Sequence, residues 1–190
     1  MAIEFSIESN SEEETCAIAR KIARFFHPGD AIILDGDLGA GKTYFVKGFT
    51  AGLQSKDLVS SPTFSIANFY RTDTADILHI DLYRISFVEE FKDLGLLDYF
   101  EQSVVLIEWG KKFAEYFDAY FLISFEINDD TSRTITFSHQ DGRADGTSAY
   151  PEMSDGTSSY PEMSDGTSEY PKTSRTMAEL KKILKGDALC

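Results

Sequence analysis

Apolar and polar residues recur along the first thirty positions with two different periods, which separate a strand from a helix. Ile3 to Ile7 alternates apolar and polar residues, and this pattern predicts a short strand. Ser11 and Glu14 have the spacing of a capping box, and apolar residues then follow at helical intervals. We therefore expect a helix from about Glu12 to Phe26, ended by the segment His27 to Asp30, which contains Pro and Gly.

Three apolar runs have the character of strands that are covered on both faces of a parallel sheet. They are Ala31 to Leu34, Ile77 to Asp81 and Val104 to Glu108, and the last two runs end in a carboxylate. The carboxyl ends of parallel strands gather at one edge of a sheet. We therefore expect Asp81 and Glu108 to lie near each other at that edge.

The other periodic segments complete a mixed sheet with helices. A glycine-rich turn leads into a predicted helix from Lys42 to Leu53. Tyr120 to Ile127 and Thr134 to Ser138, separated by Asn128 to Asp130, predict an antiparallel hairpin. The pattern as a whole predicts an α/β fold with a mixed, mostly parallel sheet.

The composition changes abruptly after about Gln140. A ten-residue unit rich in Gly, Ser, Thr and Pro begins at Asp145 and occurs three times, ending at Ser174. Such a tract buries too little apolar surface to offset its ordering entropy. We interpret residues 141–175 as a linker between a domain of residues 1–140 and a C-terminal segment, 176–190, with a short helix from Met177 to Leu184. The alternative is a partner-binding tract that uses the regularly spaced tyrosines Tyr150, Tyr160 and Tyr170.

Composition and charge narrow the classes of function. The chain has 190 residues, of which 42% are hydrophobic, enough for the core of a single domain. Its 18 basic and 32 acidic residues give a net charge of −14, which disfavours direct binding of nucleic acid. Cys16 and Cys190 match neither a disulfide framework nor a zinc spacing, and no apolar run approaches the roughly 18 residues of a membrane span. We expect a cytoplasmic protein with no membrane partner.

One segment carries a strong chemical signal. Residues 36–43 read Gly-Asp-Leu-Gly-Ala-Gly-Lys-Thr and match the P-loop pattern G-x-x-x-x-G-K-[ST] in full, between a buried strand and a helix. Glycines let backbone N–H groups surround a phosphate, Lys42 would reach the β- and γ-phosphates, and the Thr43 hydroxyl would ligate Mg²⁺. This context predicts a P-loop NTPase-like three-layer sandwich. The candidate nucleotide-binding residues are Gly36, Asp37, Leu38, Gly39, Ala40, Gly41, Lys42 and Thr43.

Further candidate residues follow from what bound Mg²⁺ needs. Asp81 and Glu108 both qualify as its acidic partner, and we expect one to hold the metal while the other orients the attacking water or a sensor loop. Thr63 lies where P-loop proteins place a loop that senses the γ-phosphate, although a hydroxyl in a Pro-initiated turn is an equally good interpretation. His79 is interpreted as a buried core histidine, and Trp109 as a residue packed near the site or in the core.

Missing motifs also bear on the function. The sequence contains no Asn/Thr-Lys-x-Asp element for guanine, which favours ATP over GTP, and no arginine-rich lid segment of a nucleotide kinase. The cation that stabilises the transition state would then come from a partner. From these residues alone, an ATPase, a small-molecule kinase and a nucleotide-gated interaction module without significant hydrolysis all stay open.

Five ordered motifs together resemble the TsaE family, the small P-loop ATPases of the pathway that makes threonylcarbamoyladenosine in tRNA. The first is the P-loop. The others are Ser61 to Phe64, His79 to Arg84, Leu94 to Phe100 and Leu106 to Trp109. The likeness runs from the first predicted helix to about Ser138, and the repeats depart from the family pattern.

The resemblance implies an Mg²⁺-dependent ATPase that works with TsaB and TsaD in threonylcarbamoylation of adenosine 37 of tRNA. It implies that Lys42 and Thr43 bind ATP and Mg²⁺, that Glu108 is a metal ligand and that Asp81 is needed for activity. Thr15 falls where the family contacts the nucleoside. The acidic charge fits this interpretation, since the partners and not this chain would hold the tRNA.

Overall fold

The computed structural model describes residues 4–117, 119–141 and 176–186. Within them, the strands are β1 (Phe5–Ser9), β2 (Ala31–Gly36), β3 (Ala67–Tyr70), β4 (Asp76–Asp81), β5 (Ser103–Glu108), β6 (Ala119–Ile127) and β7 (Arg133–Asp141). The α-helices are α1 (Glu12–Ile22), α2 (Lys42–Gly52), α3 (Val88–Asp93) and α4 (Met177–Lys185). No helix in these residues has the length and apolar character needed to cross a membrane.

The strands form one mixed sheet in the order β1-β7-β6-β2-β5-β4-β3. The four central strands, β6, β2, β5 and β4, run parallel, and the outer pairings are antiparallel. The predicted α/β fold with a mixed, mostly parallel sheet is confirmed. The sheet order places the ends of β2, β5 and β4 side by side, so their carboxyl ends face a common site.

Two hydrophobic clusters cover the two faces of the sheet and give three layers. Along β2, Ile32 and Leu34 belong to the cluster under α1, α2 and α4, while Ala31 and Ile33 belong to the cluster formed with α3 and the 3₁₀ segments. This alternation explains why β2 and β5 are continuously apolar. Helices α1 and α2 pack so closely that a Cβ on Gly48 would lie 2.1 Å from the Cys16 carbonyl oxygen.

Several bounds differ from the sequence prediction, and one strand was missed. β1 spans Phe5–Ser9, and β7 extends beyond the predicted Thr134 to Ser138 at both ends. Helix α1 ends at Ile22 and continues only as a 3₁₀ turn, Ala23–Phe25, while Phe26 is extended. Pro28 disfavours helical backbone at His27 and so limits the helical segment there, but it does not reach Ile22. Strand β3 was not predicted at all. It has four residues at the edge of the sheet, too few to establish an alternating pattern.

The predicted C-terminal helix is present as α4, and it packs on the domain. The side chains of Met177, Leu180 and Leu184 are buried in the same cluster as α1 and α2. A capping box between Thr176 and Glu179 fixes its first turn. The repeats Asp145 to Ser174, with Tyr150, Tyr160 and Tyr170, lie outside the described residues, as does Cys190, so the linker interpretation stays a prediction.

We expect Leu180→Ala to lower the free energy of unfolding by about 2 kcal/mol or more, because it empties a buried position in the shared core. Leu180 is 1% exposed. Lys182→Ala, on the exposed side of the same helix, serves as the matched control and should change stability by less than about 0.5 kcal/mol. Urea unfolding of both variants measures the difference. Equal stability of the two would show that α4 does not stabilise the domain.

Candidate functional site

The P-loop leaves the end of β2 in a tight turn that only glycine accommodates at two points. Gly36 has a φ of +144°, and a Cβ there would lie 2.6 Å from the Phe125 carbonyl oxygen. Gly41, at the N-cap of α2, has a φ of +106°. The turn delivers the chain into the first turn of α2, where Phe45 N donates to the Gly41 carbonyl oxygen at 2.9 Å. The loop and helix therefore have the shape of an anion-binding site at a helix N-terminus.

Lys42, the first residue of α2, has its ammonium group turned back onto the loop. Its Nζ donates to the carbonyl oxygens of Gly36 at 2.7 Å and Asp37 at 2.9 Å, and it lies 4.1 Å from the centroid of the Trp109 ring. Burial lowers the pKa of Lys42, an effect that nearby carboxylates oppose, Glu108 most strongly. The site thus holds one partly desolvated positive charge beside the P-loop backbone.

The two strand-end carboxylates lie side by side, as the sequence predicted. Asp81 and Glu108 are register partners at the ends of β4 and β5, and both are buried. Thr43 Oγ1 donates to Glu108 Oε1 at 2.9 Å. His79 Nε2 lies 3.0 Å from the same oxygen. Glu108 therefore joins the first turn of α2 to the end of β5.

Asp81 is held by a different set of donors. Its Oδ2 accepts a hydrogen bond of 2.6 Å from Thr63 Oγ1, and its Oδ1 accepts one of 2.9 Å from the backbone N–H of Tyr83. The Thr63 hydroxyl also lies 2.7 Å from Ser61 Oγ. The candidate sensor loop, residues 60–65, is thus tied to one of the two acids.

Two residues with left-handed backbone lie next to these acids. Trp109, directly after Glu108, has a φ of +61°, and Ile66, at the end of the sensor loop, has a φ of +68°. Such a conformation is unfavourable for a bulky or β-branched residue. Ile66 is held there by hydrogen bonds from its N–H to the Pro62 carbonyl oxygen and from Asp81 N–H to its own carbonyl oxygen. The surrounding structure therefore imposes strain at both flanks of the site.

A cavity of about 350 Å³ is lined by Trp109, the residue whose ring also contacts the Lys42 ammonium. Its other lining residues combine one aromatic ring, one carboxylate and two cations: Tyr83, Asp35, Lys111 and Lys112. Lys111 Nζ lies 2.9 Å from Asp35 Oδ2, and Lys112 donates to the Ile85 carbonyl oxygen. Trp109 is therefore a site residue, one of the two interpretations that the sequence left open.

The opposite side of the P-loop contains a contact that sequence reasoning missed. Arg133, at the start of β7, has its side chain beside Gly41, where a Cβ would lie 3.4 Å from Arg133 Cδ, and its Nη1 donates to Thr15 Oγ1 at 2.9 Å. Thr15 is fully buried, and its hydroxyl also contacts Ser9 Oγ and the Ser11 carbonyl oxygen. In the part of the chain that the structure describes, Arg133 Nε is buried with no hydrogen-bond partner.

The structure thus gathers most predicted residues around one loop and sorts them into two groups. Lys42, Thr43, Glu108, Asp81 and Thr63 lie on the β4–β5 side. Thr15 lies on the β7 side, where its hydroxyl is engaged within the protein. A contact between Thr15 and a nucleoside stays a prediction. Within the loop, Leu38 is 87% exposed and Ala40 is fully buried.

Thr43 and Glu108 suit a magnesium ion whose other ligands are phosphate oxygens. They do not form a complete site for an ion held by protein ligands alone. Among the described residues, no group of three or more His, Cys, Asp or Glu side chains could hold a metal ion. Mg²⁺ is usually bound by one or two carboxylates together with substrate phosphates. The hydroxyl of Thr43 and the carboxylate of Glu108 supply oxygen donors of that kind.

Comparison with known proteins assigns the chain to a family. The profile described as threonylcarbamoyl adenosine biosynthesis protein TsaE matches residues 9–135. The chain belongs to the TsaE family. It is therefore a member of a family of tRNA threonylcarbamoyladenosine biosynthesis, as the five motifs indicated.

Relatives and a solved structure agree with this TsaE assignment. The tRNA threonylcarbamoyladenosine biosynthesis protein TsaE of Bacillus subtilis is 44% identical over 128 residues, which cover 66% of this chain and 80% of that protein. The protein of the same name from Treponema pallidum is 34% identical, over 67% of this chain and 96% of its own length. The crystal structure of YdiB from Bacillus subtilis matches with a TM-score of 0.61 and 37% identity, over 73% of this chain and 86% of that one.

The contact between Thr15 and Arg133 gives a stability prediction for this TsaE-family chain. Thr15→Val keeps the volume of the side chain but removes the acceptor for a buried guanidinium, so we expect a loss of about 1–3 kcal/mol in the free energy of unfolding. Thr136→Val removes a hydroxyl that bonds to Ser6 at the surface and is the matched control. Its effect should stay within about 0.5 kcal/mol. Chemical denaturation that finds both variants equally stable would contradict a structural role for the Thr15 hydroxyl.

Proposed function

We propose that this chain binds ATP together with Mg²⁺ at its P-loop and hydrolyses it slowly, acting with TsaB and TsaD in threonylcarbamoylation of adenosine 37 of tRNA. The observation that carries the proposal is the hydrogen bond of 2.9 Å between Thr43 Oγ1 and Glu108 Oε1. It places a P-loop hydroxyl and a strand-end carboxylate at one point beside the Lys42 ammonium, the arrangement by which P-loop ATPases hold a metal ion and phosphates.

Lys42 supplies the charge that the phosphates need. Its ammonium is held by the two loop carbonyl oxygens of Gly36 and Asp37, which are neutral acceptors. A charged phosphate oxygen is a stronger partner for an ammonium than a carbonyl oxygen. The β- and γ-phosphates of ATP therefore compete well for Lys42, and the partial burial of the site strengthens the attraction.

Thr43 and Glu108 are the residues that would hold Mg²⁺. When bound, the ion neutralises part of the phosphate charge and favours attack at the γ-phosphorus. Glu108 is 4% exposed, so its carboxylate depends on nearby donors or cations for compensation.

Asp81 suits a different task because both of its carboxylate oxygens already accept hydrogen bonds. Thr63 occupies Oδ2 and the Tyr83 N–H occupies Oδ1. We assign Asp81 and Thr63 to orienting water or to coupling the γ-phosphate to the sensor loop. Hydrolysis releases the γ-phosphate, and the loop would then lose the group that Thr63 senses.

The sheet order argues against Arg133 as the source of the transition-state cation. Arg133 lies beside the P-loop at Gly41, but β7 and β5 lie on opposite sides of β2. Its side chain is therefore on the other side of the loop from Glu108, where Thr15 lies and where the nucleoside is expected. TsaB and TsaD would supply the cation and also hold the tRNA, since the net charge of −14 disfavours its direct binding by this chain.

An ATP-gated docking module without significant hydrolysis is the second candidate. Two exposed apolar side chains favour it, Leu38 within the P-loop and Phe64 directly after Thr63, at 87% and 90% exposure. Both belong to segments that contact the nucleotide in this proposal, so bound ATP would set the position of two apolar contacts for a partner.

Lys42→Ala should remove most of the affinity for ATP, because an ammonium–phosphate contact contributes about 2–3 kcal/mol or more. Lys47→Ala is the matched control, since Lys47 is exposed one turn later on α2 and its Nζ lies over the Tyr44 ring. The control should bind ATP like the wild type. Calorimetric titration of the three proteins checks this, and unchanged affinity in Lys42→Ala would overturn the phosphate-site assignment.

The two acids should differ in which step they affect. Glu108→Ala should weaken Mg²⁺-dependent ATP binding, because the metal loses its negative partner. Asp81→Ala should bind Mg-ATP about as well as the wild type and lose turnover, the signature of an interaction made mainly in the transition state.

Mg-ATP affinity and single-turnover hydrolysis, measured with TsaB and TsaD present, separate these roles. Loss of affinity in Asp81→Ala with full affinity in Glu108→Ala would reverse the assignment. Full activity in both variants would remove the two acids from the site.

A further inference from the structure

His79 contacts the carboxylate of Glu108 from within the sheet. It lies in β4 two residues before Asp81, so both side chains leave the same face of the strand. The imidazole is fully buried, and its Nε2 is 3.0 Å from Glu108 Oε1. The sequence correctly indicated a buried histidine but gave no sign of this partner.

The role of His79 toward Glu108 differs from that of Thr43, the other side chain that donates to this carboxylate. Thr43 Oγ1 also reaches Oε1, but the proposed function assigns that hydroxyl to Mg²⁺ as well. A carboxylate only accepts hydrogen bonds, so the hydrogen between the two side chains is on His79 Nε2. His79 is therefore a donor to Glu108 that has no separate task toward the metal. A buried donor of this type fixes the orientation of a ligating carboxylate.

The far side of the imidazole is held as well. Tyr70, a buried residue of β3, has its hydroxyl 3.4 Å from His79 Nδ1. The same hydroxyl lies 3.0 Å from the Ser60 carbonyl oxygen, so its one hydrogen is shared between that oxygen and Nδ1, which accepts because Nε2 carries the ring hydrogen. Asn68 Nδ2 also donates to that carbonyl oxygen, at 3.2 Å. Ser60 begins the sensor loop, so a chain of polar contacts runs from this loop across three strands to Glu108.

We propose that His79 is a positioning residue that fixes the Glu108 carboxylate for Mg²⁺ and, through Tyr70, links it to the sensor loop at Ser60. The inference deepens the proposed function and rests on it. The sensor loop is then connected to both acids, to Asp81 through Thr63 and to Glu108 through Tyr70 and His79.

Three variants test the proposal in the full chain. His79→Leu places an apolar side chain in the buried position and removes both nitrogens, whereas His79→Gln keeps an N–H donor at a similar reach. Tyr70→Phe removes only the hydroxyl. The fluorescence of Trp109, the single tryptophan, reports binding because the Lys42 ammonium lies over its ring. ATP is titrated in EDTA, and Mg²⁺ is titrated at fixed ATP.

His79→Leu should raise the Mg²⁺ concentration for half-saturation by about tenfold or more, the usual effect of losing a partner of a metal ligand. ATP affinity in EDTA should not change, since the phosphate contacts of Lys42 are intact. His79→Gln should recover most of the Mg²⁺ affinity. Tyr70→Phe should show a smaller loss in the same direction.

Other outcomes overturn the proposal. If His79→Leu keeps the wild-type Mg²⁺ dependence while Glu108→Gln loses it, His79 does not act on the metal site. The proposed function would then stand without this inference. Equal losses with and without Mg²⁺, not restored in His79→Gln, would mean that His79 only maintains the fold. A wild-type chain that binds no Mg-ATP at all would overturn the proposed function and this inference together.

Discussion

The hydrogen bond from Thr43 to Glu108 joins the first turn of α2 to the end of β5, and it depends on the register of the central strands. Glu108 pairs with Asp81 on one side and Leu34 on the other. Both faces of these strands are buried, so a shift of one residue would turn the carboxylate to the opposite layer. The hydrophobic alternation that builds the core therefore also fixes the position of the site.

This arrangement buries charged side chains, which lowers the stability of the fold. Lys42, Asp81 and Glu108 are all buried, and each is compensated by a small number of neighbours. Burial lowers the pKa of Lys42, and the left-handed conformations of Trp109 and Ile66 add strain at the flanks. Strained backbone of this kind clusters at ligand-binding sites, where the surrounding structure holds it in place. The core on both faces of the sheet offsets that cost.

The sequence was sufficient to identify those site residues that belong to one recognisable segment of the chain. The P-loop residues from Gly36 to Thr43 were identified by spacing, and the strand-end acids followed from two apolar runs that end in a carboxylate. The contacts of His79 with Glu108 and of Arg133 with Thr15 could not be found in this way. Each joins residues far apart in the chain, and no periodic pattern records which side chains meet across a sheet.

ATP turnover by the wild type and by Lys42→Ala, each alone and with TsaB and TsaD, is the most direct test of partner-assisted hydrolysis at the P-loop. We expect slow hydrolysis by the wild type alone, because the sheet order places Arg133 away from Glu108. TsaB and TsaD should raise wild-type turnover by about tenfold or more, or produce ATP-dependent association, and should do neither with Lys42→Ala. Wild-type turnover that is the same with and without TsaB and TsaD, together with no ATP-dependent association with them, would contradict the proposed partnership.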